Sequence, residues 1–184
     1  MFTTDRLHLR AWREGDDENI LSLFNNAHLA PSFAPDFIVP RGPKHKEFMN
    51  KMAEDALMYC VIEEKETNKY MGVVGFENKP DGKNRRGQFV IGMLPEFWRK
   101  GYGEEASRFV IDYGFRSLGL HRISLGVFEG NDRAIALYRR LGFVDEGTLR
   151  KQLWKDGGWW DVYLMGLLED EWATAQKSTT ASGR

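Results

Sequence analysis

Leu7, Leu9 and Ala11 alternate with His8 and Arg10, the two-residue period of a strand with one buried face. The run REGDDENILSLFNN then changes period. Asp16 or Asp17 can cap a helix there, and Ile20, Leu21 and Phe24 form its inner stripe. From Ala30 to Pro43 four prolines (Pro31, Pro35, Pro40, Pro43) are interleaved with Phe33, Phe37 and Ile38. That spacing predicts a loop with apolar teeth, either a binding wall or a surface connection. A second helix is expected from Lys44 to Ala56. Three strand-like runs follow, MYCVIEE, YMGVVGFEN and GQFVIGML, parted by the turn-rich ETNK and KPDGKNRRG, and they read as a meander. Beyond them Ala106, Phe109, Val110 and Tyr113 fall at i, i+3, i+4 and i+7, one face of a helix. RISLGVF alternates as a strand. Asn131 or Asp132 opens another helix, lined by Ala134, Leu137, Tyr138 and Leu141 and closed by Gly142. FVDEGTLR and WDVYLMGLL read as final strands.

Strands first follow one another and then alternate with helices. This order predicts a mixed α/β (α+β) architecture, one sheet with helices on both faces. Residues 1–176 fit a single domain, and the small, polar segment 177–184 reads as a disordered tail. Composition narrows the function. The net charge of −1 lacks the basic excess typical of a duplex-binding protein. No apolar run approaches the ~20 residues of a membrane span, and MFTTDRLHLR has no signal-peptide core. A cytoplasmic protein without nucleic-acid or membrane partners is expected, as monomer or homodimer. Cys60 lies in the apolar-leaning YCVIEE and reads as a buried, inert thiol. His8, His28, His45 and His121 show no metal-ligand spacing, so no metal is expected.

One stretch carries chemistry. In WRKGYGEEA, Arg99 and Lys100 precede Gly101, Tyr102 and Gly103, where a helix begins. A helix N-terminus offers free N–H groups and a positive dipole end, and glycines let a ligand approach the backbone. Such a turn suits a pyrophosphate, although a tight strand–helix connection would look the same. It is neither the triphosphate loop GxxxxGK[ST] nor GxGxxG, since position 106 is alanine.

The pieces GMLPEFWRKGYGEEASRFVIDYGF, RISLGVF and EGNDRAIALYRRLGFVDEG, in that order from Gln88 to Val144, resemble the Gcn5-related N-acetyltransferase (GNAT) superfamily. TDRLHLRAWREGD and WWDVYLMGLLEDEW extend the likeness, weakest from about Ala30 to Met58, toward the branch of ribosomal-protein N-terminal acetyltransferases and spermidine acetyltransferases. The resemblance implies a twisted, mostly antiparallel sheet and acetyl-CoA as co-substrate. It implies direct acetyl transfer in a ternary complex to an amine, on a small molecule such as a polyamine or on a protein N-terminus. By the same resemblance, backbone N–H groups from Arg99 through Glu104, behind Trp98 at the loop's first position, cradle the pyrophosphate. Main chain of Ile91, Gly92 and Met93 pairs with the pantetheine arm, and Asn131 lies near it, unless it is only a helix N-cap. Tyr138 matches the tyrosine proposed as general acid, though its place on the apolar stripe also suits a core residue. Many relatives hold a glutamate where this chain has Gln88, so Glu77, one strand earlier, is the candidate base; a water chain would also serve. Arg85 and Arg86 read as a solvated turn. Trp154, Trp159 and Trp160 are either packing residues or an acceptor wall, with Asp161 and Glu18 as candidate charges for a cationic amine. A catalytically silent acyl-CoA sensor, or transfer of another acyl group, is the alternative.

Overall fold

The computed structural model describes residues 1–34, 39–77, 79 and 81–181, with side chains to Lys177; Pro35, Phe37 and Ile38 of the proline-rich segment lie outside them. In chain order the elements are β1 (Phe2–Thr3), β2 (Leu7–Ala11), α1 (Asp16–Phe24), α2 (Ala30–Phe33), α3 (Pro43–Asp55), β3 (Met58–Glu64), β4 (Tyr70–Phe76) and β5 (Arg86–Met93). There follow α4 (Tyr102–Arg116), β6 (Arg122–Phe128), α5 (Asp132–Arg140), β7 (Val144–Lys155), β8 (Gly158–Leu168) and α6 (Glu169–Ala181). The strands form one sheet in the order β1-β2-β3-β4-β5-β6-β8-β7. Only β5 and β6 pair in parallel, across the helix α4. The sheet is mixed and mostly antiparallel, as expected.

Strand alternation divides the core between the two faces. On one, Leu9, Ile62, Val74 and Phe89 meet Ala106, Val110 and Phe115 of α4 and Tyr138 of α5. On the other, Tyr59 and Val73 meet Ile20 and Leu23 of α1 and Met49 of α3. Burial of these aliphatic and aromatic side chains is the main force holding the helices on the sheet.

Several local features differ from the sequence pattern. Gly15, in the left-handed region, takes the N-cap position of α1. Asp16 is the first helical residue, and its carboxylate accepts bonds from both terminal nitrogens of buried Arg10 (2.7 and 2.8 Å) and from the Arg13 N–H (2.8 Å). Burial alone would raise the Asp16 pKa, but Arg10 and the Arg13 N–H outweigh it and hold the carboxyl below its usual range. The short α2 was not expected among prolines; Pro31 sits in its first turn, where a missing N–H costs nothing. Helix α6 was also unforeseen and carries helical backbone into the segment 177–184. Trp172 anchors it by stacking on Phe115 (5.2 Å) and donating to Asp112 (2.6 Å). No helix among the described residues is long and apolar enough to cross a membrane.

Candidate active site

The sheet splits beside β5. Its parallel pairing with β6 covers only Arg86↔Arg122, Gly87↔Ile123 and Gln88↔Ser124. Beyond that point β6 stays paired with β8 as far as Phe128↔Val162. The Ser124 hydroxyl donates to the Gln88 side chain (3.2 Å) where the strands part. The Glu77 N–H bonds the Gln88 carbonyl (3.0 Å) and the Leu94 N–H bonds the Met71 carbonyl (2.9 Å). In an antiparallel ladder these residues turn both peptide groups toward β4 every second position. Phe89, Ile91 and Met93 therefore turn theirs toward the gap, while Gly92 faces β4. The gap thus has an open peptide edge at Ile91 and Met93, although Trp98 Nε1 already donates to the Met93 carbonyl (2.6 Å). Gly92 acts sterically: a Cβ there would lie 2.6 Å from the Phe33 ring.

The gap opens into a cavity of about 500 Å³ that reaches the start of α4. Gly101 (φ 84°) caps that helix without any side-chain cap bond. Glu105 makes the first i→i−4 bond, to the Gly101 carbonyl, so the N–H groups of Tyr102, Gly103 and Glu104 have no helical acceptor. Trp98, Arg99, Gly101, Gly103 and Glu104 line the cavity. Lys100 and Tyr102 turn their side chains away, the first toward Phe97 and the second to Glu64, with Arg6 over the Tyr102 ring. A Cβ on Gly103 would meet only Ile91 and Leu137, each at 3.9 Å. The protein itself leaves room for a side chain there, so the vacant space suits a ligand lying on the amides. An uncapped helix start with the Arg99 side chain beside it fits a diphosphate.

Arg133 is a residue the sequence reading missed. It projects from the first turn of α5, with its guanidinium 3.4 Å from the centroid of the Trp98 ring. Burial lowers its pKa, and the neighbouring Arg99 lowers it further. Two like charges are held close together at the cavity wall, and neither forms an ion pair with a described carboxylate. Nothing in NDRAIALY marks it, since at helical spacing a residue two positions on from the cap points to the other side; its contact with Trp98, 35 residues earlier, places it at the cavity.

Asn131 serves as the N-cap of α5, its Oδ1 accepting the Ala134 N–H (3.3 Å), and it also lines the cavity. Tyr138 stands edge-on to Phe89 and Phe143 and is 8% exposed. Its hydroxyl makes no hydrogen bond among the described residues. Burial holds the phenol well above its usual pKa, so it keeps its proton at neutral pH. Glu77 follows β4 at the opposite end of the cavity, reachable by solvent, and the protein around it raises its carboxyl above the usual range.

Other expected residues lie elsewhere. Trp154 and Trp159 pack edge-on (5.3 Å) on the exposed end of the β7–β8 hairpin, half open to solvent, and neither they nor Trp160 line the cavity. β8 pairs with β6 only as far as Val162, so the hairpin end that carries the tryptophans runs past that strand. Asp161 accepts the Lys151 N–H (2.8 Å) across a bulge and Glu18 pairs with Lys46 on the surface, so neither supplies charge to the cavity. Arg85 and Arg86 pair with Glu169 and Asp81 in an exposed turn. Burial pushes the Cys60 thiol up to about 11, so it is inert. Among the described residues no three His, Cys, Asp or Glu side chains gather to hold a metal.

The family model for the acetyltransferase (GNAT) domain matches residues 6–144. An uncharacterised N-acetyltransferase of Bacillus subtilis is 30% identical over 90% of this chain and 95% of its own. The spermidine N(1)-acetyltransferase of Vibrio cholerae is 31% identical over 91% of this chain and 95% of its own. A crystal structure of the Vibrio cholerae spermidine N-acetyltransferase with CoA and spermine superposes with a TM-score of 0.81 at 29% identity, covering 92% of this chain and 99% of that one. The chain belongs to the acetyltransferase (GNAT) family and is an N-acetyltransferase.

Proposed function

We propose that the chain transfers the acetyl group of acetyl-CoA directly to a primary amine, with both substrates bound at once. One observation carries this: the open peptide edge of β5, the uncapped start of α4 and the Glu77 carboxyl share a single cavity. Acetyl-CoA supplies an activated thioester carbonyl. The amides of Tyr102, Gly103 and Glu104, with Arg99 and Arg133, bind its diphosphate. The Ile91 peptide and the Met93 N–H pair with amides of the pantetheine arm, as a strand adds to an edge. Tyr138 holds a proton at its hydroxyl for the departing thiolate, and Glu77 accepts one from the amine.

A covalent acetyl-enzyme would need an activated nucleophile in the cavity. Cys60 is the chain's only cysteine and does not line it. Ser32 does, but its hydroxyl is engaged by the Leu29 carbonyl (3.1 Å). Direct transfer is therefore the supported route. The acceptor is a small amine or a protein N-terminus, and the neighbour crystallised with spermine supports an amine at this site. Initial rates of thiol release, with both substrates varied, test the reading. Intersecting double-reciprocal lines are expected; parallel lines would mean a covalent intermediate and reject it.

A further inference from the structure

Resting on that reading, we infer that the preferred acceptor carries a single ammonium on an apolar or aromatic body, and is not a polyamine. Beyond the gap, the cavity wall is built by Leu29, Ser32 and Phe33 from α2 and the residue before it, Val90 from β5 and Phe128 from β6. Glu77 is the one described carboxylate at this end. The other lining carboxylate, Glu104, sits at the diphosphate end and pairs with Arg108 (2.8 Å) and Arg140 (3.4 Å). The chain on either side of α2 adds none: among its described residues, 26–34 and 39–46, no side chain is acidic.

The wall is fixed in place. The Phe33 ring lies on the Gly92 backbone and against Phe24 (5.1 Å). The ammonium of buried Lys155, from the end of β7, donates to the Pro31 carbonyl (2.9 Å) and lies over the Phe128 ring (3.9 Å). A rigid apolar wall rewards a hydrocarbon or ring that fills it. One carboxylate neutralises one ammonium; a second ammonium pressed on leucine, valine and phenylalanine loses water without gaining a partner.

Matched acceptors isolate this effect. Pentylamine and putrescine have equal length and differ by a methyl against an ammonium. Thiol release is expected to give pentylamine the higher kcat/KM by roughly tenfold or more, with phenethylamine above both and spermidine near putrescine. Peptide amides Phe-Gly-Gly and Lys-Gly-Gly show whether the same chemistry is drawn from a chain terminus. Ser32→Asp, its folding checked by circular dichroism, places a second carboxylate on the wall and is expected to raise putrescine about tenfold relative to pentylamine. A profile led by putrescine or spermidine, or a Ser32→Asp protein with an unchanged ratio, overturns the acceptor class and leaves acetyl transfer standing. Thiol release with none of these amines overturns the acetyltransfer reading itself, and the acceptor class with it.

Discussion

Gly103→Ala separates what the protein needs from what the ligand needs. Gly103 lies in the first turn of α4, and an added Cβ meets nothing closer than the 3.9 Å contacts to Ile91 and Leu137. For folding, alanine should therefore be the better residue. Removing a glycine's excess unfolded freedom from a helix is worth ~0.5–1 kcal/mol, or roughly 1–4 °C in Tm for a chain this long. For ligand binding the same methyl occupies the space in front of the free amides. Losing one charge-assisted hydrogen bond costs about 1.5–3 kcal/mol, which is roughly 10- to 100-fold in Kd. The two effects have opposite signs, so thermal unfolding of wild type and variant should cross: the variant melts higher without CoA and lower with CoA in excess. Calorimetric titration with CoA gives the affinity directly. A variant that melts lower on its own would show that the glycine serves internal packing. An unchanged Kd would remove the diphosphate from this helix start, and the proposed site with it.

Other substitutions probe separate parts of the cavity. Tyr138→Phe keeps the edge-on ring packing and removes the proton; kcat should fall by roughly 10² with CoA affinity preserved, and equal turnover would return Tyr138 to the core. Because burial raises the Glu77 pKa, its base form is present above that raised value and is lost as pH falls through it. The acid limb of the kcat/KM profile should therefore lie above the ordinary carboxylate range and disappear in Glu77→Gln, and a limb that persists assigns the titration to another group. Adding Gln88→Glu to Glu77→Gln should recover part of the lost rate; no recovery would tie the base to position 77 alone. Arg133→Ala should weaken CoA by about tenfold and flatten the salt dependence, with Arg133→Lys restoring only part because an ammonium cannot stack as flatly on Trp98. Calorimetry at two ionic strengths reads both, and an unaltered affinity removes Arg133 from the clamp.

What the sequence made legible is what short stretches decide. The period of Leu7–Ala11, the inner stripe of α5 and the glycines at the start of α4 each depend on neighbours within about two turns, and each appears where the pattern puts it. The features that were not legible depend on distant contacts. Helix α6 has a weak apolar stripe and is held by Trp172 against α4, 60 residues away. The tryptophans at the hairpin turn look like wall residues in sequence; only the full length of the β7–β8 pairing shows that they project beyond the sheet. Arg133 becomes a cavity residue through its contact with Trp98, and Lys155 fixes α2 from 124 positions away. The split in the sheet is the extreme case. RISLGVF has the same alternation whether its strand follows β5 throughout or leaves it after Ser124, and the long pairing with β8 decides.

The same topology bears on Gln88, at the position where the family resemblance implies a glutamate. Gln88 is the last residue of β5 to pair with β6, and its amide oxygen accepts the Ser124 hydroxyl there. Glu77 and Gln88 oppose each other across the β4–β5 ladder, joined by the Glu77 N–H to Gln88 carbonyl bond. Directly opposed residues project from the same face of a sheet, with Cβ atoms about 5 Å apart. A carboxyl at 77 thus stands on the same sheet face as one at 88 would, and both positions line the same cavity. The raised pKa at Glu77 follows from partial loss of water at the cavity lining and needs no second acid nearby. A neutral side chain at 88 leaves a single carboxylate there: a glutamate opposite would add a like charge across the ladder, and two carboxylates so close would share a proton.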